Sequence, residues 1–232
     1  MGYANGVDSA SAPKDRLGDT VPKRVRVDGK LFVRGGDRFR CRGVTYGPFR
    51  PNAYGHQFPD PSKIKKDFAE MVALSINAVR VYHAPPPYVL ELASEHGLVV
   101  YIDVPWPKHT CFLESENAQR DAFRAVRDAA KVGRTSESTF CYSICNEIPA
   151  DVVRWHGAGK VETFLGELAD HARQFDPDAL ITYASFPPTE YLQLPFLDFA
   201  SFNVYLHDPA AFRGYLARLP EFRDFFEPLS QT

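Results

Sequence analysis

Six short apolar runs recur along the chain, and the run at residues 139–148 has no polar face. Such runs are typical of strands in a parallel sheet that is covered on both sides. Several stop at proline, which cannot donate a hydrogen bond to the next rung of a sheet. The runs occupy residues 39–46, 76–82, 98–104, 139–148, 180–186 and 199–206.

Segments with helical spacing of apolar residues lie between these runs. The first begins at Asp60-Pro61, an N-cap residue followed by proline at the first helical position. The second spans residues 87–96 and ends before Gly97, a typical C-cap glycine. The remaining segments cover residues 122–130 and 161–175, and a last one begins at Asp208-Pro209.

Strict alternation of strands and helices predicts an α/β fold with a parallel sheet and right-handed crossovers. The chain has no Gly-x-Gly-x-x-Gly turn, so the pattern favours a TIM (β/α)8-type barrel over a dinucleotide-binding sheet. A full barrel needs eight units and about six are readable, so the predicted barrel is incomplete.

Residues outside the strand–helix pattern set the expected domain limits. Residues 24–33 alternate around Asp28-Gly29, which predicts a short N-terminal β-hairpin that covers the bottom of the barrel. Residues 1–22 are rich in small and polar residues and are expected to be a disordered lead-in. We therefore expect one barrel domain over residues 23–232, truncated or divergent after about residue 218.

Composition excludes several classes of function. The chain has 232 residues, of which 44% are hydrophobic, and a net charge of −2, which gives no electrostatic support for binding nucleic acid or a membrane surface. Its four cysteines and seven histidines have no metal-binding spacing, so we expect no metal and no cofactor. No signal peptide or membrane span is visible, which gives a cytoplasmic location as the expectation.

In a barrel, the residues that follow the strands build the functional site. Here they combine aromatic rings with amide, guanidinium, imidazole and carboxylate groups. Aromatic rings stack on the apolar faces of sugars, and the polar groups bind hydroxyls, so a carbohydrate is the expected substrate. The candidates are Tyr46, Arg80, His83, Asp103, Trp106, Asn146, Glu147, Asn203 and Tyr205.

Glu147 is the strongest catalytic candidate. It lies near the end of the apolar run 139–148, and Pro149 prevents that strand from continuing. Partial burial at such a position is expected to raise the pKa of a carboxyl group, which suits a general acid near neutral pH. The alternatives are a solvated loop glutamate and a partner of Arg80.

The other candidates each have a structural alternative. Arg80 could orient a catalytic carboxylate or form an ion pair inside the barrel, and both roles are compatible. Trp106 is either a stacking platform for a sugar or a hydrophobic plug, and His83 is either a pocket imidazole or a surface residue. Tyr205 could bind a carboxylate or a sugar hydroxyl, or lie at the rim without a role. Asp103 is expected to be a structural hydrogen-bonding group.

The sequence resembles the glycoside hydrolases with catalytic (β/α)8 barrels, and most of all the β-glucuronidase, β-galactosidase and β-mannosidase family. Residues 77–83 (Asn-Ala-Val-Arg-Val-Tyr-His) and 95–100 are similar to that family's second and third strands. Cys145-Asn146-Glu147 is similar to its Asn-Glu acid/base motif, and residues 201–205 resemble its sixth strand. The resemblance covers roughly residues 30 to 210.

The resemblance implies hydrolysis of O-glycosidic bonds with retention of configuration. Glu147 would protonate the glycosidic oxygen and then activate water, Asn146 would bind the sugar 2-hydroxyl, and Arg80 would hold the nucleophile. A retaining enzyme needs a second carboxylate about 5 Å from the first. The family supplies it as a glutamate at the end of strand seven, and neither Glu221 nor Glu227 closes an apolar strand here.

Three hypotheses therefore remain at this point. The first is a retaining glycosidase with Glu147 as acid/base and its nucleophile beyond residue 232. The second is a non-catalytic carbohydrate-binding or accessory domain of a larger protein. The third and weakest is another barrel hydrolase, assisted by a metal ion.

Overall fold

Residues 24–218 are described by the computed structural model of this chain. Nine strands and six α-helices lie within this range. The strands are β1 (Arg26–Asp28), β2 (Leu31–Arg34), β3 (Asp37–Phe39), β4 (Gly43–Thr45), β5 (Ala78–Val81), β6 (Val99–Asp103), β7 (Thr139–Asn146), β8 (Ile181–Ser185) and β9 (Ser201–Phe202). The helices are α1 (Pro61–Ala73), α2 (Pro87–Glu95), α3 (Glu116–Gly133), α4 (Ala150–His156), α5 (Ala158–Phe175) and α6 (Pro209–Arg218).

Strands β4 to β9 form one six-stranded parallel sheet in chain order. An α-helix follows each strand of this sheet, as the hydrophobic pattern predicts, except β8, which is followed only by a 3₁₀ turn at Pro187–Thr189, and the sheet forms a half-barrel. Within residues 24–218, β4 and β9 are its two edge strands. The predicted incomplete TIM-type barrel is therefore confirmed.

The predicted first strand, residues 39–46, is wrong as a single element. Asp37–Phe39 pairs antiparallel with β2, whereas Gly43–Thr45 pairs in parallel with β5. The side chain of Asn77 explains the break, because its Oδ1 accepts from the Arg42 amide at 2.7 Å and its Nδ2 donates to the Arg40 carbonyl at 2.8 Å. These bonds satisfy the backbone between the two sheets.

Two further differences concern short elements. Helix α4 has seven residues, too few to show a helical stripe in the sequence, and it lies between Pro149 and Gly157, whose φ is +87°. The predicted sixth strand, residues 199–206, forms ladder pairs only at Ser201–Phe202.

The sheet β1–β3 covers the bottom of the half-barrel, as expected for the N-terminal hairpin. The ring of Phe32 packs edge-on against Phe140 at 5.2 Å and against Phe199 at 5.0 Å between centroids. Val99 and Phe140 lie at the amino-terminal ends of their strands and share a buried cluster with these rings. The opposite end of the sheet, where the strands finish, is therefore left for a site.

An ion pair fixes the segment before β1 to the outer layer. Arg24 makes two bonds of 2.9 Å to the carboxylate of Asp176, which follows α5 and is 2% exposed. The phenol of Tyr142 on β7 donates to the same carboxylate at 2.7 Å. This buried carboxylate thus has the partners that burial of a charge requires.

The helices are amphipathic and pack on the outside of the sheet. Apolar side chains of α3 and α5 share the main buried cluster with the outward residues of β5, β6 and β7. None of the helices between residues 24 and 218 has the length and apolarity that crossing a bilayer requires.

Candidate active site

The backbone turns sharply where β7 ends. The amide of Glu147 still bonds to the Ala184 carbonyl of β8 at 2.9 Å, but its φ is +51°, in the left-handed region. The next amide, of the buried Ile148, donates to Tyr183 Oη at 3.0 Å, and Pro149 precedes α4. A non-glycine residue in this region costs about 1–3 kcal/mol, and such strain is concentrated at functional sites.

Two side chains from the segment after β9 hold the Glu147 carboxylate. Asn203 Nδ2 and Tyr205 Oη each donate to Glu147 Oε1 at 2.7 Å. The hydrogen bond to Glu147 raises the pKa of Tyr205, since ionisation would remove its donor proton, and burial adds to this effect. Both bonds use the same oxygen, which leaves Oε2 available to carry a proton.

A second layer of hydrogen bonds connects this carboxylate to Arg80. Asn203 Nδ2 also donates to Asn146 Oδ1 at 2.7 Å. The Arg80 guanidinium donates to Asn146 Oδ1 at 3.1 Å and to Asn203 Oδ1 at 2.9 Å. Each amide is therefore fixed in one orientation, and Asn146 keeps its NH₂ group for another acceptor.

Arg80 is in turn held by Asp103, at the end of β6. Arg80 Nε lies 2.5 Å from Asp103 Oδ2, and the guanidinium lies 5.0 Å from the ring centroid of Tyr101. Sequence reasoning expected either an ion pair or an orienting role for Arg80, and the structure shows the ion pair. The alternative in which Glu147 pairs with Arg80 does not apply, because Arg80 reaches Glu147 only through the two asparagines.

The electrostatics of this pair follow from burial. Burial raises the pKa of Asp103, and the hydrogen bond and charge of Arg80 act in the opposite direction. Arg80 stays charged, because the bond and charge of Asp103 outweigh the effect of burial and raise its pKa. Asp103 Oδ1 and Tyr101 Oη are buried without a partner among the described residues.

Two predicted site residues are not open to a ligand. Trp106 is 8% exposed, its Nε1 donates to the Ile144 carbonyl at 2.7 Å, and its ring packs against Phe112 and Phe164. The stacking role predicted for Trp106 is therefore corrected to the alternative, a hydrophobic plug.

Tyr46, a predicted substrate-binding residue, is also buried and not open to a ligand. It is 6% exposed and donates to Asp67 on α1 at 2.7 Å, and its ring packs against Phe49 and Phe68. It stabilises the packing of α1 and does not face the network around Glu147.

His83 and Lys108 lie near the ends of their strands. His83 is half-buried after β5, and this burial lowers its pKa, which favours the neutral imidazole. Lys108 was not predicted, yet its positive charge opposes the rise that burial causes in the pKa of Asp103. The sequence hints at a position near the site only because Lys108 lies just after the proline-flanked Trp106, in the loop that follows β6.

Comparisons with known proteins bear on the family and the fold of this chain. The family described as "Glycosyl hydrolases family 2, TIM barrel domain" matches residues 25–218. A β-glucuronidase of Paenibacillus borealis is 27% identical over 209 residues, which are 82% of this chain and 33% of that protein. The 1,3-β-glucanosyltransferase gel1 of Aspergillus fumigatus is 28% identical over 104 residues, or 43% of this chain and 23% of that protein.

Solved structures share the fold. β-Glucuronidase 2 of Bacteroides uniformis superposes with a TM-score of 0.70 at 18% identity, covering 85% of this chain and 25% of its own. A β-galacturonidase of Eisenbergiella tayi gives 0.70 at 17% identity, with 86% and 35% covered. The chain thus spans about a quarter to a third of these relatives. It belongs to glycosyl hydrolase family 2, and residues 25–218 correspond to part of that family's TIM-barrel domain.

Proposed function

We propose that the protein hydrolyses O-glycosidic bonds of β-glycosides with retention of configuration, and that Glu147 is the acid/base. One observation carries the proposal: the Glu147 carboxylate, at the end of β7 in a family 2 barrel domain, is held through Oε1 by Asn203 and Tyr205. The β-configuration follows the names of the relatives, a β-glucuronidase and a β-glucanosyltransferase.

The geometry suits proton transfer in both directions. Two donors on Oε1 fix the carboxyl plane, so a proton on Oε2 has a defined direction toward the glycosidic oxygen. Once the leaving group has departed, the same carboxylate accepts a proton from the attacking water. Asn146 NH₂, held in place by Arg80, donates to a hydroxyl of the bound sugar in this proposal.

The retaining mechanism also requires a second carboxylate at about 5–5.5 Å from the first. Asp103 is the other carboxylate of the network within residues 24–218, and it is bound to Arg80. The proposal therefore takes its nucleophile from outside the described residues.

The engagement of Asp103 with Arg80 favours a second candidate, a non-catalytic carbohydrate-binding domain. In this case, the same asparagine and tyrosine side chains would bind sugar hydroxyls without bond cleavage. Saccharide binding that persists without any turnover would support this candidate over hydrolysis.

The test compares leaving groups in the full-length protein. Glu147→Gln should slow hydrolysis of alkyl β-glycosides by about 10²–10⁴-fold, because an alkoxide leaving group needs a proton. It should slow formation of the glycosyl-enzyme from dinitrophenyl β-glycosides far less, because that leaving group departs without protonation. Glucuronides, glucosides and galactosides should each be assayed.

Glu167→Gln is the matched control, since Glu167 is exposed on α5 and distant in sequence from the strand ends. Its rates should equal those of the unmodified protein for both leaving groups. Equal rates for Glu147→Gln and the unmodified protein would remove Glu147 from the mechanism.

A further inference from the structure

Trp155 on α4 combines high exposure with a fixed position. It is 66% exposed, yet its only polar atom, Nε1, donates to Glu114 Oε1 at 2.6 Å. Glu114 ends a short 3₁₀ turn at Phe112–Glu114 in the loop between β6 and α3. A large aromatic ring is thus ordered while its surface stays open to solvent.

The rest of α4 anchors this ring. Val153 is 1% exposed and His156 is 8% exposed, and the His156 ring packs edge-on against Phe112 at 4.9 Å between centroids. The helix therefore contacts the same 3₁₀ turn through its buried residues and through the Trp155–Glu114 bond. Because both contacts fix the helix, little conformational entropy remains for a ligand to remove on binding.

Trp155 and Glu114 lie on segments that leave the same end of the sheet as Glu147. The loop after β6 and the loop after β7 both leave the carboxyl ends of their strands. Three residues of extended chain and five of helix separate Glu147 from Trp155, so their Cα atoms are at most about 18 Å apart. A short oligosaccharide bound at Glu147 can reach this distance.

We infer that Trp155 is a stacking platform for a distal sugar ring of an oligosaccharide whose scissile bond lies at Glu147. The inference rests on the proposed function and adds a preference for chain length to it. The apolar face of a pyranose ring needs a flat apolar surface of this size, and an aromatic ring with its N–H already satisfied provides one. Trp106, for which the sequence left a stacking role open beside that of a hydrophobic plug, is buried, and we assign the stacking role to Trp155.

Residues 1–232 contain two tryptophans, Trp106 and Trp155, and comparison with a Trp155→Phe variant isolates the emission of Trp155 by difference. Trp106 is buried and Trp155 is exposed, so iodide should quench the emission of Trp155 selectively. A ladder of β-gluco-oligosaccharides added to the full-length protein should protect Trp155 from iodide, and the monosaccharide should not. The oligosaccharide-dependent part of the iodide quenching should be lost in Trp155→Phe.

Variants separate stacking from folding. Trp155→Ala should weaken the affinity for long oligosaccharides about five- to tenfold, the range of one aromatic contact. Trp155→Phe should retain most of that affinity, and Glu114→Ala should fall between the two because the ring loses its fixed orientation. Turnover of small aryl glycosides, which do not reach Trp155, should be unchanged in all three.

The outcomes distinguish this inference from the proposed function. The stacking role is overturned if Trp155→Ala leaves the oligosaccharide affinity unchanged, or if no oligosaccharide reduces the iodide quenching. Either result holds even if turnover depends on Glu147. If the affinity depends on Trp155 but the rates do not depend on Glu147, the stacking role is supported and the proposed mechanism is contradicted.

Discussion

Tyr205 Oη and Glu147 Oε1 lie 2.7 Å apart, although the two residues are 58 positions apart in the sequence. Tyr205 is 67% exposed, so this bond is made at the open mouth of the half-barrel and not in its core. An exposed tyrosine that donates to the candidate acid/base positions that carboxylate without being needed for folding.

We therefore expect Tyr205→Phe to lower kcat by about tenfold without changing stability. A hydrogen bond to a charged group contributes about 1.5–3 kcal/mol when buried, and exposure of Tyr205 places the effect at the lower end of that range. The measurement is steady-state kinetics on an aryl β-glycoside together with urea unfolding. Tyr54→Phe is the control, because Tyr54 is 79% exposed. A decrease in the free energy of unfolding as large as the increase in the activation free energy would argue against a positioning role.

The ion pair between Arg80 and Asp103 should dominate the stability of the site. Arg80→Ala leaves the carboxylate of Asp103, which is 3% exposed, without its partner, and we expect a loss of about 3–5 kcal/mol in the free energy of unfolding. The double variant Arg80→Ala with Asp103→Asn should recover part of this loss, because no buried charge remains. Additive effects in a double-mutant cycle would contradict the coupling.

Gly133 at the end of α3 should not tolerate a larger residue. A Cβ at this position would overlap the phenol ring of Tyr142, which is fixed by its bond to Asp176. Gly133→Ala should therefore destabilise the fold by about 1–3 kcal/mol. Gly214→Ala in α6 is the matched control, since open space surrounds Gly214, and it should be neutral or stabilising by up to about 1 kcal/mol. Chemical unfolding measures both, and equal effects would exclude the overlap with Tyr142.

His156 should make the stability depend on pH. Burial lowers its pKa in the folded state, so the unfolded chain binds the proton more readily. Stability should therefore be complete above the ordinary histidine pKa of about 6.5 and should fall as the pH decreases below it. His156→Phe should reduce this slope, and His83, whose pKa burial also lowers, should account for part of what remains. Urea unfolding between neutral and acidic pH tests this, and an unchanged slope in His156→Phe would contradict it.

The alternation of strands and helices could be predicted because hydrophobic periodicity is a local property. The apolar run 139–148 has no polar face, so it had to be a covered strand, and Pro149 placed its end beside Glu147. The position of the candidate acid/base was therefore determined by the sequence alone. The break between β3 and β4 was not, because it depends on the side chain of Asn77, 35 positions away from Arg42.

The partners of each side chain were decided by the tertiary structure. The sequence does not show which of the two tryptophans, Trp106 or Trp155, is buried. Packing against Phe112 and Phe164 buries Trp106, whereas Trp155 on α4 is exposed. The bonds of Asn203 and Tyr205 to Glu147 likewise depend on how β9 pairs with β8, which sets where the following loop passes. The sequence by itself determined which residues reach the strand ends, and only the register and loop packing decided which of them meet. This is because hydrophobic periodicity acts over neighbouring residues, whereas hydrogen-bond geometry joins residues far apart in the chain.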